Sequence, residues 1–180
     1  MYILITVLVI IFGLIALLLL IGLFSKSGYE IHREIVINKG NKEVFDYIKH
    51  IKNQDLFSKW VMTDPGMKKT YTGNDGEVGF IYAWDSLMKE AGKGEQEIKN
   101  IIEGEILDLE VRFEKPFKAV AKTPFWCESL SENQTKVKWG MQSKMPYPMN
   151  VILLFMNMEK ILGKDLDISL NNLKRILEKN

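Results

Sequence analysis

The sequence predicts an α+β protein in which one transmembrane helix precedes a domain built from a curved antiparallel sheet wrapped around a long C-terminal helix. Three observations support this prediction. The first 24 residues are uncharged and almost wholly apolar, short alternating segments recur at 29–37 and between 68 and 144, and an apolar stripe of helical spacing runs from Pro148 to Glu178. Strands joined by short turns favour antiparallel pairing, and the long helix supplies a second layer that buries the apolar face of the sheet.

Residues 1–24 are predicted to form a transmembrane anchor. Only Thr6, Gly13 and Gly22 fall outside the hydrophobic set, and a helix of about 36 Å exceeds the roughly 30 Å hydrocarbon core of a bilayer. The rival interpretation is a cleaved signal peptide, which needs a basic N-terminal region, a shorter apolar core and a small-x-small cleavage site. No Lys or Arg precedes the apolar run, and residues 22–25 fit such a site poorly. The anchor is therefore preferred.

The chain is predicted to be a single-pass protein of the cell membrane whose soluble domain lies in the cytoplasm. Lys26, Arg33, Lys39 and Lys42 follow the span, whereas only the α-amine precedes it, and positive charge is enriched on the cytoplasmic side of membrane proteins. Because this excess is small and a large domain is translocated regardless of it, the opposite orientation stays open. Within this organisation, 1–24 is the anchor, 25–28 a short linker and 29–180 the domain.

The domain begins with a strand followed by short helices. Residues 29–37 alternate, with Ile31, Ile35 and Ile37 on one face and glutamates on the other, which is typical of a half-buried strand. Asn41 is a suitable N-cap for a helix whose apolar residues recur up to residue 51. A second short piece, helical or irregular, is predicted at about 53–60, before a turn at 63–66.

The remaining chain predicts a meander and a closing helix. The closing helix runs without interruption from Pro148 to Glu178, and Gly163 within it is expected to mark a bend or a close approach. Turn residues separate six further strands, which are predicted at approximately 68–73, 78–84, 93–102, 105–113, 117–130 and 135–144.

This order of elements resembles the helix-grip fold of the START-like (SRPBCC) superfamily, especially its polyketide cyclase/dehydrase-like subgroup with an N-terminal membrane segment. The resemblance covers roughly residues 29–178. It is carried by IVIN at 35–38 leading into VFDYI at 44–48, by Trp60, by TKVKW at 135–139, and by the tail segments MPYPMN (145–150), MNM (156–158), GKD (163–165) and LNNLK (170–174).

The resemblance implies a cavity between the sheet and the long helix that holds an apolar or amphipathic small molecule. Aromatic side chains supply flat apolar walls, and methionines adapt to varied ligand shapes. Trp84, Trp139 and Met156 are expected to line this cavity rather than face solvent, although every candidate side chain would also suit a packed core. The candidate ligand-binding residues are Trp60, Phe80, Tyr82, Trp84, Val111, Phe113, Trp139, Met141, Met145, Phe155, Met156 and Leu162.

Three functions stay open at this point. The preferred one is a membrane-anchored module that binds a lipid, an isoprenoid or a polyketide-like molecule. A cyclase or dehydratase acting on such a substrate needs a buried acid or base facing the cavity. A protein-interaction module of the chaperone-activator type would instead show a collapsed cavity and a large exposed apolar patch.

No residue pattern predicts catalysis, a cofactor or a metal site. His32 and His50 stand alone, Cys127 is the single cysteine, and no glycine-rich phosphate loop or nucleophile elbow is present. The formal net charge of +1 argues against a nucleic-acid binder. The expected partners are therefore the lipid bilayer and a hydrophobic small-molecule ligand, and the sequence does not identify a protein partner.

Overall fold

An apolar helix, α1 (Tyr2–Phe24), precedes an antiparallel sheet and a long C-terminal helix in the computed structural model, which describes residues 2–179. With a mean hydropathy of 3.4, α1 is long and apolar enough to cross a membrane. Gly22, near its C-terminal end, is the one buried residue among those described in α1. The rest of this helix therefore projects away from the domain.

Eight strands form one antiparallel sheet. They are β1 (Gly28–Ile37), β2 (Lys68–Thr72), β3 (Ile81–Asp85), β4 (Lys93–Ile102), β5 (Ile106–Lys115), β6 (Ala119–Lys122), β7 (Phe125–Ser131) and β8 (Gln134–Lys144). Their order across the sheet is β1-β8-β6-β5-β4-β3-β2, and β7 pairs with both β5 and β8. The alternation of apolar and polar residues is clearest in β4, β5 and β8, which each have one inner face, directed at the core, and one wet face.

Helices cover the inner face of the sheet. The link from β1 to β2 contains α2 (Asn41–Lys49), a 3₁₀ turn (Ile51–Asn53), α3 (Gln54–Phe57) and α4 (Lys59–Thr63). After β8 come a second 3₁₀ helix (Met149–Leu154), called the 3₁₀ segment below, and α5 (Met158–Glu178).

The stripe of α5 buries Leu166, Leu170, Leu173 and Leu177 in the main hydrophobic core. Burying one such side chain stabilises the fold by about 1.5–3 kcal/mol. These four leucines therefore hold α5 against the sheet.

A polar contact fixes α5 beside β1. The guanidinium of Arg33 lies 2.6 Å from a carboxylate oxygen of Glu159 and 3.1 Å from one of Asp167. A Cβ added at Gly163 would overlap this guanidinium, so Gly163 marks a close approach rather than a bend.

The predicted fold class, an α+β helix-grip architecture with one apolar N-terminal helix, is confirmed. Two element predictions were wrong. The strand predicted at 117–130 is divided into β6 and β7 at Pro124, which has no N–H to donate to the ladder. The single helix predicted from Pro148 to Glu178 is instead two elements, the 3₁₀ segment and α5. The N-cap of α5 is Asn157, whose side chain accepts a hydrogen bond from the Lys160 N–H.

One end of the sheet lies beside the C-terminal end of α1. Four pairs of residues on neighbouring strands mark this end. They are Gly28 with Lys144, Phe113 with Ala119, Lys93 with Lys115 and Lys68 with Asp85. The loops at 86–92, 116–118 and 145–157 therefore all lie at this edge, called the α1-proximal end below. The turn at 73–80 lies at the opposite end.

Candidate functional site

A cavity of about 240 Å³ lies between the inner face of the sheet and a cover made by α3, α4 and the first turns of α5. This volume is slightly below the roughly 300–1,000 Å³ typical of small-molecule pockets. The α5 helix contributes Leu162, whereas α3, α4 and the residue between them contribute Gln54, Trp60, Val61 and Ser58. The short helices, more than the long one, therefore form the roof.

The cavity reaches the surface at the α1-proximal end. Its lining includes Glu90 and Ala91, which belong to the loop between β3 and β4. The indole N–H of Trp84 donates a 2.9 Å hydrogen bond to the Ala91 carbonyl and so ties this loop to the cavity wall. Because Glu90 is exposed, the loop marks the mouth of the cavity.

Trp139 is the centre of the aromatic wall. Its ring stacks on Phe125 at a centroid distance of 4.4 Å and meets Trp60 edge-on at 5.7 Å. Near the mouth, Trp84 packs edge-on against Phe113 at 6.1 Å. Such pairs hold rings in fixed orientations, so the apolar wall is preformed.

Three polar atoms of residues that line the cavity are buried without a hydrogen-bond partner in the described structure. They are the amide nitrogen Nε2 of Gln54, the hydroxyl oxygen Oγ1 of Thr123 and the indole nitrogen Nε1 of Trp139. A buried polar group without a partner costs about 1–3 kcal/mol. Two of the three are donors and the hydroxyl both donates and accepts. This arrangement suits a ligand that carries an oxygen acceptor.

The cavity interior is uncharged. Among the described residues that line it, Glu90 at the mouth is the one that carries a full charge at neutral pH. Burial and the neighbouring Asp55 carboxylate raise the pKa of Tyr82, whose hydroxyl donates to Asp55 at 3.2 Å. Burial also raises the pKa of Tyr29, against a smaller lowering by Ser143. Both phenols are therefore neutral at physiological pH.

Eight of the twelve predicted residues line this cavity, although their role as ligand contacts stays a prediction. Two of the three residues singled out above, Trp84 and Trp139, are among them and Met156 is not. The eight are Trp60, Tyr82, Trp84, Val111, Phe113, Trp139, Met141 and Leu162.

The other four predicted residues lie elsewhere. Phe80 shares a face with Tyr82, but it directly precedes β3, at the end of the sheet opposite the cavity mouth, where it is buried in the core and stacks on Tyr71. Met145 follows the end of β8 and lies outside the cavity. Phe155 and Met156 fall in the break before α5 and are exposed, because the apolar stripe of α5 begins only after Asn157.

Sequence reasoning missed nine lining residues, five of them polar or charged. The inward direction of Gln96 could have been predicted from the sequence. It lies between Glu95 and Glu97 on an alternating strand, so its side chain faces the core when theirs face water. Thr123 lies in the break before Pro124, where alternation gives no direction. The nine are Tyr29, Gln54, Ser58, Val61, Met67, Glu90, Ala91, Gln96 and Thr123.

No protein-family model matches the chain, and no curated protein matches it in sequence. Solved structures do match it. Norcoclaurine synthase from Thalictrum flavum, solved with dopamine and hydroxybenzaldehyde, has a TM-score of 0.62 at 11% identity, covering 89% of this chain and 92% of that one. The Aha1 dimer from Colwellia psychrerythraea has a TM-score of 0.57 at 13% identity, covering 83% and 96%.

A further match is a protein from Rhizobium loti, with a TM-score of 0.59 at 13% identity over 82% of this chain and 96% of that one. Identities this low establish a shared fold and nothing finer. The polyketide cyclase-like subgroup therefore stays a prediction. Residues 28–178 have the helix-grip fold shared by norcoclaurine synthase, Aha1 and other SRPBCC-like proteins.

Proposed function

We propose that this protein is a membrane-anchored binding module that holds a hydrophobic or amphipathic small molecule in the cavity beneath α3 and α4. The observation that carries the proposal is a mainly apolar cavity whose lining includes Gln54, Thr123 and Trp139, three residues that each carry a buried polar atom without a hydrogen-bond partner in the described structure. A ligand with an apolar body and a neutral oxygen function, such as a hydroxyl or a carbonyl, would satisfy both features. Lipids, isoprenoids and polyketide-like molecules belong to this class.

The position of the mouth supports a membrane source for the ligand. α1 is long and apolar enough to span a bilayer, and the mouth opens at the α1-proximal end. An amphipathic molecule leaving the bilayer would enter with its apolar body in the cavity, and any charged group could stay at the exposed mouth beside Glu90.

A binding role fits the cavity better than the other two functions. General acid or base catalysis works best with a group whose pKa lies near neutral pH, whereas the pKa of Tyr82 is raised further from it. The interaction-module hypothesis expects a collapsed cavity as well as a large exposed apolar patch. Exposed apolar side chains are present near α1, but the cavity is open. The structural likeness to Aha1 extends to the fold alone.

Native mass spectrometry of the full-length protein tests the proposal. The protein would be extracted from its own host membranes with a polymer that retains native lipid, and the bound mass released by collisional activation. We expect one class of oxygen-containing, mainly apolar molecule bound in about equal proportion to protein, displaceable by a fluorescent fatty-alcohol probe. Recovery of bulk lipid alone, together with failure to bind the probe, would overturn it.

A further inference from the structure

The stretch between β8 and α5 is strongly apolar and uncharged. Residues 145–158, between Lys144 and Glu159, contain no charged residue, and ten of these fourteen belong to the hydrophobic set. In a water-soluble protein such a stretch is normally buried.

Here the usual burial pattern is inverted. The polar Asn150 is 2% exposed, whereas Phe155 is 70% exposed and Tyr147, Ile152 and Leu154 are also exposed. Contiguous exposed apolar surface marks a protein or membrane contact. This surface therefore needs an apolar environment that the described chain does not supply.

The 3₁₀ segment is joined directly to α1. The Asn150 side-chain amide donates a 2.7 Å hydrogen bond to the carbonyl oxygen of Gly22, and Val151 is so close that a Cβ at Gly22 would overlap it. If α1 spans a bilayer, this contact places the segment at the depth where the helix leaves the hydrocarbon core. That depth is where interfacial segments bury apolar side chains by about 5–10 Å.

Two other loops at the same end expose apolar side chains. Leu87, in the loop that forms the cavity mouth, is fully exposed, and Phe117, between β5 and β6, is 53% exposed. Exposed lysines accompany them, and none of the following has a salt-bridge partner among the described residues: Lys26, Lys89, Lys115, Lys118 and Lys144. Lysines near an anionic leaflet each contribute about 1 kcal/mol of attraction. The lysines outnumber the exposed acidic residues of this end, which include Asp85, Glu90 and Glu114. Apolar tips with an excess of positive charge suit a bilayer surface better than a second copy, because the excess charges of two copies would repel one another.

We propose that the α1-proximal end is a second membrane contact, which rests in the headgroup region of the leaflet from which α1 emerges and holds the cavity mouth against it. The inference rests on the proposed anchoring by α1 and not on what the cavity binds. The side chains proposed to enter the leaflet are Leu87, Phe117, Tyr147, Ile152, Leu154 and Phe155.

Depth-dependent fluorescence quenching tests this contact on the full chain. Single cysteines would replace Phe155, Leu87 and Phe117, with Asn74→Cys at the opposite end of the sheet as the matched control. The native Cys127 is buried and needs no replacement. Each variant would be labelled with an environment-sensitive dye in nanodiscs of phosphatidylcholine and phosphatidylglycerol holding one protein each. Lipids spin-labelled near the headgroup would serve as quenchers.

We expect loss of emission at positions 155, 87 and 117 and unchanged emission at 74. A fifth variant, Phe12→Cys within α1, reports the anchor itself through lipids labelled deep in the acyl chain. Quenching at 12 without quenching at 155, 87 or 117 overturns the second contact while leaving the anchor intact. Absence of quenching at all five positions overturns the anchor and the contact together. A spectral shift at 155 that needs two proteins per disc assigns the surface to a second copy and also overturns the proposal.

Discussion

The side-chain amide of Asn150 donates a hydrogen bond of 2.7 Å to the carbonyl oxygen of Gly22. The last carbonyls of a helix have no partner within the helix, and at the end of α1 this buried asparagine supplies one. Ser25 supplies another, because its hydroxyl donates to the Ile21 carbonyl at 2.8 Å. The end of α1 is thus capped partly by Ser25, which directly follows the helix, and partly by Asn150, 128 positions away. The contact with Asn150 couples the helix to the domain.

Replacing Gly22 with leucine should uncouple α1 from the domain. A side chain at this position would occupy the place of Val151, whereas Gly13 has open space around a Cβ. We therefore expect Gly22→Leu to speed amide hydrogen exchange in residues 25–31 and 150–156 and to leave β4 and β5 unchanged. Gly13→Leu, in the same helix, should change none of these. Equal exchange in the two variants would show that the contact does not restrain the domain.

Filling the cavity should block binding at little cost in stability. Leu162 lines the cavity, and Leu166, one turn further along α5, is fully buried in the core. Overpacking a core costs about 1–3 kcal/mol, so Leu166→Trp should lower the free energy of unfolding by that amount. Leu162→Trp should lower it less and abolish uptake of a fluorescent fatty-alcohol probe. The measurements are denaturant unfolding and probe titration, and equal destabilisation by the two variants would mean that the cavity is packed.

The fold was predictable because its signals are periodic. Alternation in β1, β5 and β8 and the leucine stripe of α5 each report a local conformation and a buried face at once. The break at 155–157 escaped prediction because apolar residues continue through it, and Asn157 acts as a cap only in the context of the fold. The buried nitrogens of Gln54 and Trp139 lack hydrogen-bond partners in the described structure because of the tertiary surroundings of these side chains. The spacing of residues in the sequence does not predict those surroundings.

A cysteine in the turn at 73–80, at the end of the sheet opposite α1, should report the orientation of the domain. We expect a membrane-impermeant thiol reagent to leave Asn74→Cys unlabelled in intact cells and to label it after permeabilisation, because the basic residues after α1 favour a cytoplasmic domain. Burial raises the pKa of Cys127 to about 12, so this thiol stays protonated at pH 8 and gives no background in the folded protein. Ready labelling of position 74 in intact cells would place the domain outside the cytoplasm.

The hydroxyl of Thr123 offers the most direct test of a polar ligand group in the cavity. It is buried without a hydrogen-bond partner, so Thr123→Val removes an unsatisfied group at nearly constant volume and should raise the free energy of unfolding of the empty protein by about 1 kcal/mol.

Thr135→Val is the matched control. Its hydroxyl is equally buried but donates to the Lys39 carbonyl at 2.9 Å, so the same substitution should lower the free energy of unfolding by about 0.5–1.5 kcal/mol. The binding data should separate the two positions as well. Thr123→Val should weaken binding of dodecanol relative to dodecane, because the hydroxyl of the alcohol loses its hydrogen-bond partner and the alkane makes no hydrogen bond. Thr135→Val should change the affinity for the two ligands equally. Calorimetric titration measures this ratio, and an unchanged ratio in Thr123→Val would mean that its hydroxyl faces no ligand oxygen.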